Sequence, residues 1–227
     1  MHLEMLPDAN AVARKAAGII AAAARDAVEK RGRFVLAVSG GRTPWQMLRV
    51  LSTEQLSWGQ VHVVQVDERV APAGDPDRNL THVRESLLNS PLPPDQIYAM
   101  PVNEPDLERA AESYAHTLVQ IAGAPPLLDL AHLGLGSDGH TASLVPGDPV
   151  LTVADRDVAI TGVYQERRRM TLTYPILNRA RRILWIVTGA EKAAMLDRLR
   201  AGDVSIPAGR IRQEQALVLA DRAACGT

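Results

Sequence analysis

A chain of 227 residues, 46% of them hydrophobic but only 4% aromatic, has enough apolar material for one full α/β core packed mainly from Leu, Val, Ile and Ala. Twenty-five basic against 26 acidic residues argue against a nucleic-acid footprint or a polybasic membrane patch, though not against a local anion site. The single cysteine, Cys225, argues against a disulfide framework or a Cys-based zinc site, and no apolar run approaches the roughly 18 residues that span a bilayer.

The N-terminal segment carries charges where a signal peptide would be uninterruptedly apolar, so a cytoplasmic location is expected. Asp8 can cap a helix whose apolar positions, among them Val12, Ala16, Ile19, Ala23 and Ala27, recur at helical spacing, and Gly32 suits its stop. Phe34 to Val38 is a continuous apolar run, as in a parallel strand buried on both faces. It ends in Ser39-Gly40-Gly41-Arg42-Thr43-Pro44, where Pro44 fits the first turn of the next helix and Thr43 its cap. Amides exposed in such a turn, at the positive end of a helix, favour an anion. A plain strand-to-helix turn is the competing reading. Val61 to Val66 reads as a second strand that runs into the charged triplet Asp67-Glu68-Arg69. Asn79 can cap a helix over 80–88, a short strand is expected around Ile97, and a second amphipathic helix runs from Asp106 to Ile121.

Leu127 to Leu133 has the length of another buried strand, and it opens into Gly134-Leu135-Gly136-Ser137-Asp138-Gly139-His140-Thr141-Ala142-Ser143-Leu144. Three glycines in six positions permit left-handed turns and close approach to a ligand. An acid and an imidazole two residues apart then sit where open parallel sheets bind ligands. A loop histidine is more often a solvated surface residue, so it is the setting that marks His140. Thr141 to Leu144 is expected to begin a helix that Pro146-Gly147 ends. Strands are expected over 157–163 and 169–173, with Arg167 and Arg168 read as a solvated face between them. Ile183 to Val187 is a further buried strand, followed by Thr188-Gly189-Ala190-Glu191-Lys192 and a helix to Arg200. A cation in a first helical turn opposes the dipole by about 0.3–1 kcal/mol, a cost that an anion bound at Lys192 would offset. Ala216 to Ala220 supplies the last strand.

Strand, loop and helix alternate along nearly the whole chain, which implies one α/β domain over 1–227 with a mostly parallel sheet and helices on both faces. Parallel strands would bring Ser39–Thr43, Asp67–Arg69, Asp138–His140 and Thr188–Lys192 to one edge. Amides and cations suited to a phosphate would there meet a carboxylate and an imidazole suited to proton transfer. That combination points to an enzyme acting on a small phosphorylated metabolite, with the reaction type open.

Ser-Gly-Gly-Arg-Thr-Pro at 39–44, Val-Asp-Glu-Arg at 66–69, Asp-Pro-Asp-Arg-Asn at 75–79, Gly-Ser-Asp-Gly-His-Thr-Ala-Ser-Leu at 136–144, Thr-Leu-Thr at 171–173 and Val-Thr-Gly-Ala-Glu-Lys at 187–192 together resemble 6-phosphogluconolactonases. The matches follow the family's order from Val35 to Asp221, and the Asp-Gly-His-Thr-Ala-Ser-Leu run is the most specific of them. The resemblance implies a three-layer αβα, Rossmann-like fold shared with sugar-phosphate deaminases and isomerases. It also implies hydrolysis of 6-phosphoglucono-δ-lactone, the second step of the oxidative pentose phosphate pathway. Two positions and one segment depart from the family's usual pattern: Arg42 stands for a common Ser, Arg78 for another, and Tyr164-Gln165-Glu166-Arg167-Arg168 stands where the family usually has a Lys and several prolines. Arg169 keeps the family's position.

Lactone hydrolysis needs an activated water, support for charge on the carbonyl oxygen, and a proton for the ring oxygen that departs. An imidazole can take and return that proton near neutral pH, which assigns His140 as general base and acid. Asp67 would orient the imidazole or the water, and Asp138 is the alternative for that place. Amides of the glycine loops are candidate oxyanion donors. The phosphate would rest on the loop from Ser39 to Thr43, on the amides of Gly40 and Gly41, with Arg42, Arg169 and Lys192 around it. Arg69 would touch substrate or hold Asp67. Neither a metal nor another cofactor is required, and a monomer with a small-molecule partner alone is expected. The rival readings are an amino-sugar-phosphate deaminase and a non-catalytic sugar-phosphate sensor. A deaminase usually carries Asn-Glu-Pro where this chain has Leu144-Val145-Pro146. A sensor would normally add a DNA-binding helical segment, for which the length leaves no room.

Overall fold

The first helix forms because both of its ends are satisfied locally. In the computed structural model, which describes residues 1–227, an edge strand β1 (His2–Leu6) leads into α1 (Ala9–Arg31). The Asp8 carboxylate accepts the Ala11 amide at 2.8 Å, and Gly32, at φ 71°, closes the last turn. The buried face of α1 is mostly alanine, which lets it lie close to the sheet.

After α1 come β2 (Phe34–Val38), α2 (Arg42–Leu51), β3 (Val61–Gln65), β4 (Asp67–Arg69), α3 (Asn79–Leu87), β5 (Ile97–Tyr98) and α4 (Leu107–Ala122). The second half runs through β6 (Leu130–Gly134), β7 (Val158–Ile160), β8 (Arg169–Leu172), α5 (Tyr174–Arg179), β9 (Ile183–Val187), α6 (Ala193–Arg200) and β10 (Ala216–Asp221). Seven strands form the main sheet in the order β1-β10-β9-β6-β2-β3-β5, and every pair is parallel. All five residues of β2 and of β9 are buried, as continuous apolar runs in a covered parallel sheet must be. Side chains alternate across the sheet. Phe34, Leu36 and Val38 join the cluster under α1 and α2, whereas Val35 and Ala37 join the one under α4, α5 and α6. These are the three layers expected from the alternation of elements.

From β2 the chain builds outward through β3 to β5, and from β6 it builds the other way through β9 and β10. The two halves diverge between the paired strands β2 and β6, where Leu36 faces Leu130. Loops leaving the carboxyl ends of such strands part and leave a crevice.

Several local expectations are corrected. Asp67-Glu68-Arg69 is a strand of a second, antiparallel sheet, β4-β8-β7, and the residues read as strands around 158 and 169 belong there too. Thr43 does not cap α2: Gly41 stands at that position, and Thr43 lies inside the helix with its hydroxyl 2.9 Å from that of Thr188. Asn79 is the first residue of α3 and not its cap. Thr141 to Leu144 forms a bridged turn in place of a helix. Lys192 closes a tight turn, Ala190–Lys192, just before α6. Neither β1 nor α5 was expected. No helix is long and apolar enough to cross a membrane.

Candidate active site

The crevice between β2 and β6 holds a cavity of about 220 Å³. Ser39, Gly40 and Gly41 reach it from the loop after β2, Gly134, Leu135, Gly136 and His140 from the loop after β6, and Lys192 from the turn after β9. The small sheet adds Asp67, Arg69 and Arg169 to the lining. Distant stretches of sequence therefore meet in one cleft. Arg42 and Thr43 do not line this cavity. They border an adjoining groove of about 650 Å³, which shares Gly40, Gly41 and Lys192 with it, and Arg42 is exposed there without an ion pair.

His140 and Asp138 form a pair. The imidazole Nδ1 lies 2.6 Å from Asp138 Oδ1, which also accepts the His140 amide at 3.1 Å. Burial pushes the Asp138 carboxyl up, but the His140 amide and ring together with the Tyr164 hydroxyl outweigh it and hold the group below the ordinary carboxylate range. Against an ionised Asp138, Nδ1 is the donor, which leaves the Nε2 lone pair free to take a proton. The pair fits only because residue 136 is glycine: a Cβ there would run into the His140 ring and come within 2.6 Å of Asp138. Asp67, the other candidate partner, makes no bond to His140. Its carboxylate accepts the Ser143 hydroxyl at 2.6 Å, and its backbone carbonyl accepts the Asn79 amide group at 3.0 Å. It is 5% exposed, a fixed carboxylate in the cavity wall.

The rest of the polar lining is cationic or carries free amides. The amides of Gly40 and Gly41 donate to no group of the protein, and they open onto the N-terminus of α2, which has no side-chain cap. Gly40 packs against Asn79 so closely that any side chain would collide with its amide. Arg69 and Arg169 stand directly opposite each other on β4 and β8, an arrangement that costs energy without a counter-charge. Arg169 is only 4% exposed, and its Nε has no partner. Burial draws its pKa down and Arg69 adds to that, with Asp67 opposing, yet a guanidinium stays charged. Lys192 forms no ion pair. Arg167 and Arg168 turn away from the cavity toward Asp75, Asp77 and Glu108.

Comparison with known proteins fits this cleft. The family described as glucosamine-6-phosphate isomerases/6-phosphogluconolactonase matches residues 7–219. The chain belongs to this family. A 6-phosphogluconolactonase of Synechocystis sp. is 38% identical over 77% of the chain and 75% of its own length. One of Nostoc sp. is 34% identical over 98% and 96%. The crystal structure of 6-phosphogluconolactonase from Thermotoga maritima superposes with a TM-score of 0.84 at 26% identity, covering 97% of this chain and 98% of that one.

In this member of the glucosamine-6-phosphate isomerase/6-phosphogluconolactonase family, two buried residues that sequence reading passed over build the frame of the site. Glu68 is fully buried and accepts the amides of Arg69, Asn79 and Leu80 while facing Arg78 Nε at 3.1 Å. It thus satisfies the start of α3 from outside the helix and neutralises the buried Arg78. His132, fully buried in β6, accepts the Ser39 amide at 3.2 Å on Nδ1, and its carbonyl accepts the Ser39 hydroxyl at 3.1 Å. Burial holds its pKa down at about 3, so it stays a neutral acceptor at the root of the Gly40–Gly41 loop.

A pH dependence follows. The unfolded chain protonates this imidazole near its ordinary 6.5, the folded chain only near 3, so between these values unfolding takes up a proton. The stability from a neutral His132 is complete above pH 6.5 and is lost as pH falls through that window, on the order of 1 kcal/mol per pH unit. His132→Asn, which retains an acceptor for Ser39, should lose less stability between pH 7 and 5 than the parent does in urea titrations. Parallel losses would contradict the assignment.

Proposed function

We propose that this chain hydrolyses 6-phospho-D-glucono-1,5-lactone to 6-phospho-D-gluconate, the second step of the oxidative pentose phosphate pathway. The observation that carries this reading is the sharing of one cavity by a base-competent imidazole, a buried carboxylate and a wall of cations and free amides. The lactone phosphate lies on the Gly40 and Gly41 amides with Lys192 and Arg169 around it, and the ester carbon faces His140. Nε2 takes a proton from water as the water oxygen bonds to C1, and the carbonyl oxygen becomes an oxyanion. When that intermediate collapses, the bond from C1 to the ring oxygen breaks, and the imidazolium returns the proton to the departing oxygen as it becomes the C5 hydroxyl. Asp138 supports the charge on the imidazolium, and Asp67, held by Ser143 and Asn79, orients the water. The carboxylic acid so formed loses its proton to solvent and becomes 6-phosphogluconate, and in this reading no step runs through a metal or cofactor. In this reading residues 1–227 work as one α/β domain, as a monomer in the cytoplasm.

The deaminase alternative calls for a carboxylate in the relay after the His140 loop, and the corresponding Val145 is buried and apolar. A coupled assay separates the two. The lactone is generated from glucose 6-phosphate by its dehydrogenase, and its disappearance is compared with the spontaneous rate. Acceleration by the protein, with no ammonia released from glucosamine 6-phosphate, is expected. Ammonia release without lactone consumption would replace the lactonase reading by the deaminase one.

A further inference from the structure

Outside the cavity lining, one half-exposed side chain touches both halves of the site. Tyr164 does not line the cavity and lies in the turn joining β7 to β8. Its hydroxyl donates to Asp138 Oδ2 at 3.1 Å, the carboxylate oxygen that His140 does not use. Its ring and the His140 imidazole make a T-shaped pair at a centroid distance of 5.7 Å and an angle of 66°. Its face carries the Arg169 guanidinium, with Cζ 4.9 Å from the ring centre. The turn that presents it is strained. Gln165 and Glu166, neither of them glycine, sit at φ 49° and 65°, and Tyr164 and Arg167 close the turn by exchanging backbone hydrogen bonds. Such residues persist only where the surroundings over-determine them. Here Gln165 Oε1 accepts Arg169 Nη2 at 3.0 Å, tying the strained tip to the same guanidinium.

We propose that Tyr164 is a positioning residue that couples the anion-binding arginine to the proton-transfer pair, with its hydroxyl fixing Asp138 behind His140 and its ring seating Arg169. This rests on the lactonase reading for its kinetic consequence but not for its structural one. An anion that aligns Arg169 presses it onto the ring whose hydroxyl steadies Asp138, so a phosphorylated substrate completes the geometry of the base. The other charged groups sharing the cavity with His140 are Asp67, Arg69 and Lys192, and none of them bonds to Asp138. Tyr164 is the only hydrogen-bond partner of Asp138 outside its own loop.

Two variants divide the roles. Tyr164→Phe keeps the ring and removes the hydroxyl, so kcat for the lactone should fall about 5- to 20-fold, below the roughly 10- to 150-fold of a charge-assisted hydrogen bond made directly to substrate because the hydroxyl acts on the imidazole only through Asp138, with KM little changed. Tyr164→Leu removes both, so a rise of about 3- to 10-fold in KM should be added to the same loss in kcat. The second readout needs no substrate: the ¹H–¹⁵N resonance of the His140 Nδ1–H, assigned by its loss in His140→Asn. It should move or broaden in Tyr164→Phe and stay in place in Val163→Ala, a change at the exposed neighbour. Wild-type kinetics together with an unmoved imidazole resonance in Tyr164→Phe would overturn the proposal while leaving lactonase activity standing. A wild-type protein that fails to consume lactone, yet whose imidazole resonance moves in Tyr164→Phe, would overturn the reaction and keep the coupling.

Discussion

His140→Asn should lower kcat for lactone hydrolysis on the order of 10²–10⁴-fold, the usual contribution of a positioned general base. The side chain is 25% exposed and belongs to no core cluster, so removing it opens no cavity. Asparagine can still hydrogen-bond to Asp138, which preserves the loop, but it cannot exchange a proton near neutral pH. The loss should therefore appear in turnover, with the thermal unfolding midpoint close to that of the parent. Unchanged turnover would remove His140 from the chemistry.

Lys192→Ala is the second large effect, and it isolates the anion wall. Arg169 is entangled with Tyr164 and Gln165, so its removal would disturb more than binding. Lys192 pairs with nothing in the protein and stands before the first turn of α6, where a cation is unfavourable. Its truncation should leave folding unharmed or slightly improved. Loss of a charge-assisted hydrogen bond worth about 1.5–3 kcal/mol should lower kcat/KM for the phosphorylated lactone by roughly 10- to 150-fold. Steady-state kinetics read alongside urea unfolding check both halves, and normal kinetics would take Lys192 out of the site.

What the sequence made legible was the part of the fold written in local pattern. Five consecutive apolar residues in β2 and in β9, and the capped ends of α1, specify themselves within a few positions. The marked loops also declare themselves locally, because Gly40 and Gly136 are demanded by close approaches that only glycine permits. What stayed hidden depends on contacts between remote positions. The bond from Ser143 to Asp67 spans 76 residues, and the one from Ser39 to His132 spans 93. No spacing rule finds them. Thr43 and Asn79 looked like caps because hydroxyl and amide side chains usually are. In the folded chain each is drawn to a partner outside its helix, Thr188 in one case and Asp67 with Arg69 in the other. Asp67–Arg69, in the sequence only the charged triplet that the second strand runs into, forms a strand that no apolar periodicity announces. It pairs with β8, about a hundred residues later in the chain. Which carboxylate serves His140 was open for the same reason. One acid lies on β4 and the other in the loop after β6, and only contacts tell them apart: Asp138 receives the His140 ring and amide and the Tyr164 hydroxyl, whereas Asp67 receives Ser143.

The central claim is that one cleft joins a proton-transferring imidazole to a clamp for the phosphate of a cyclic sugar ester. It is tested most directly by following 6-phosphogluconolactone in real time with wild-type protein, with His140→Asn and with buffer alone. Rapid consumption by the wild type, and a trace for His140→Asn far closer to that of buffer, is the predicted result. Wild-type and buffer traces that coincide would contradict it.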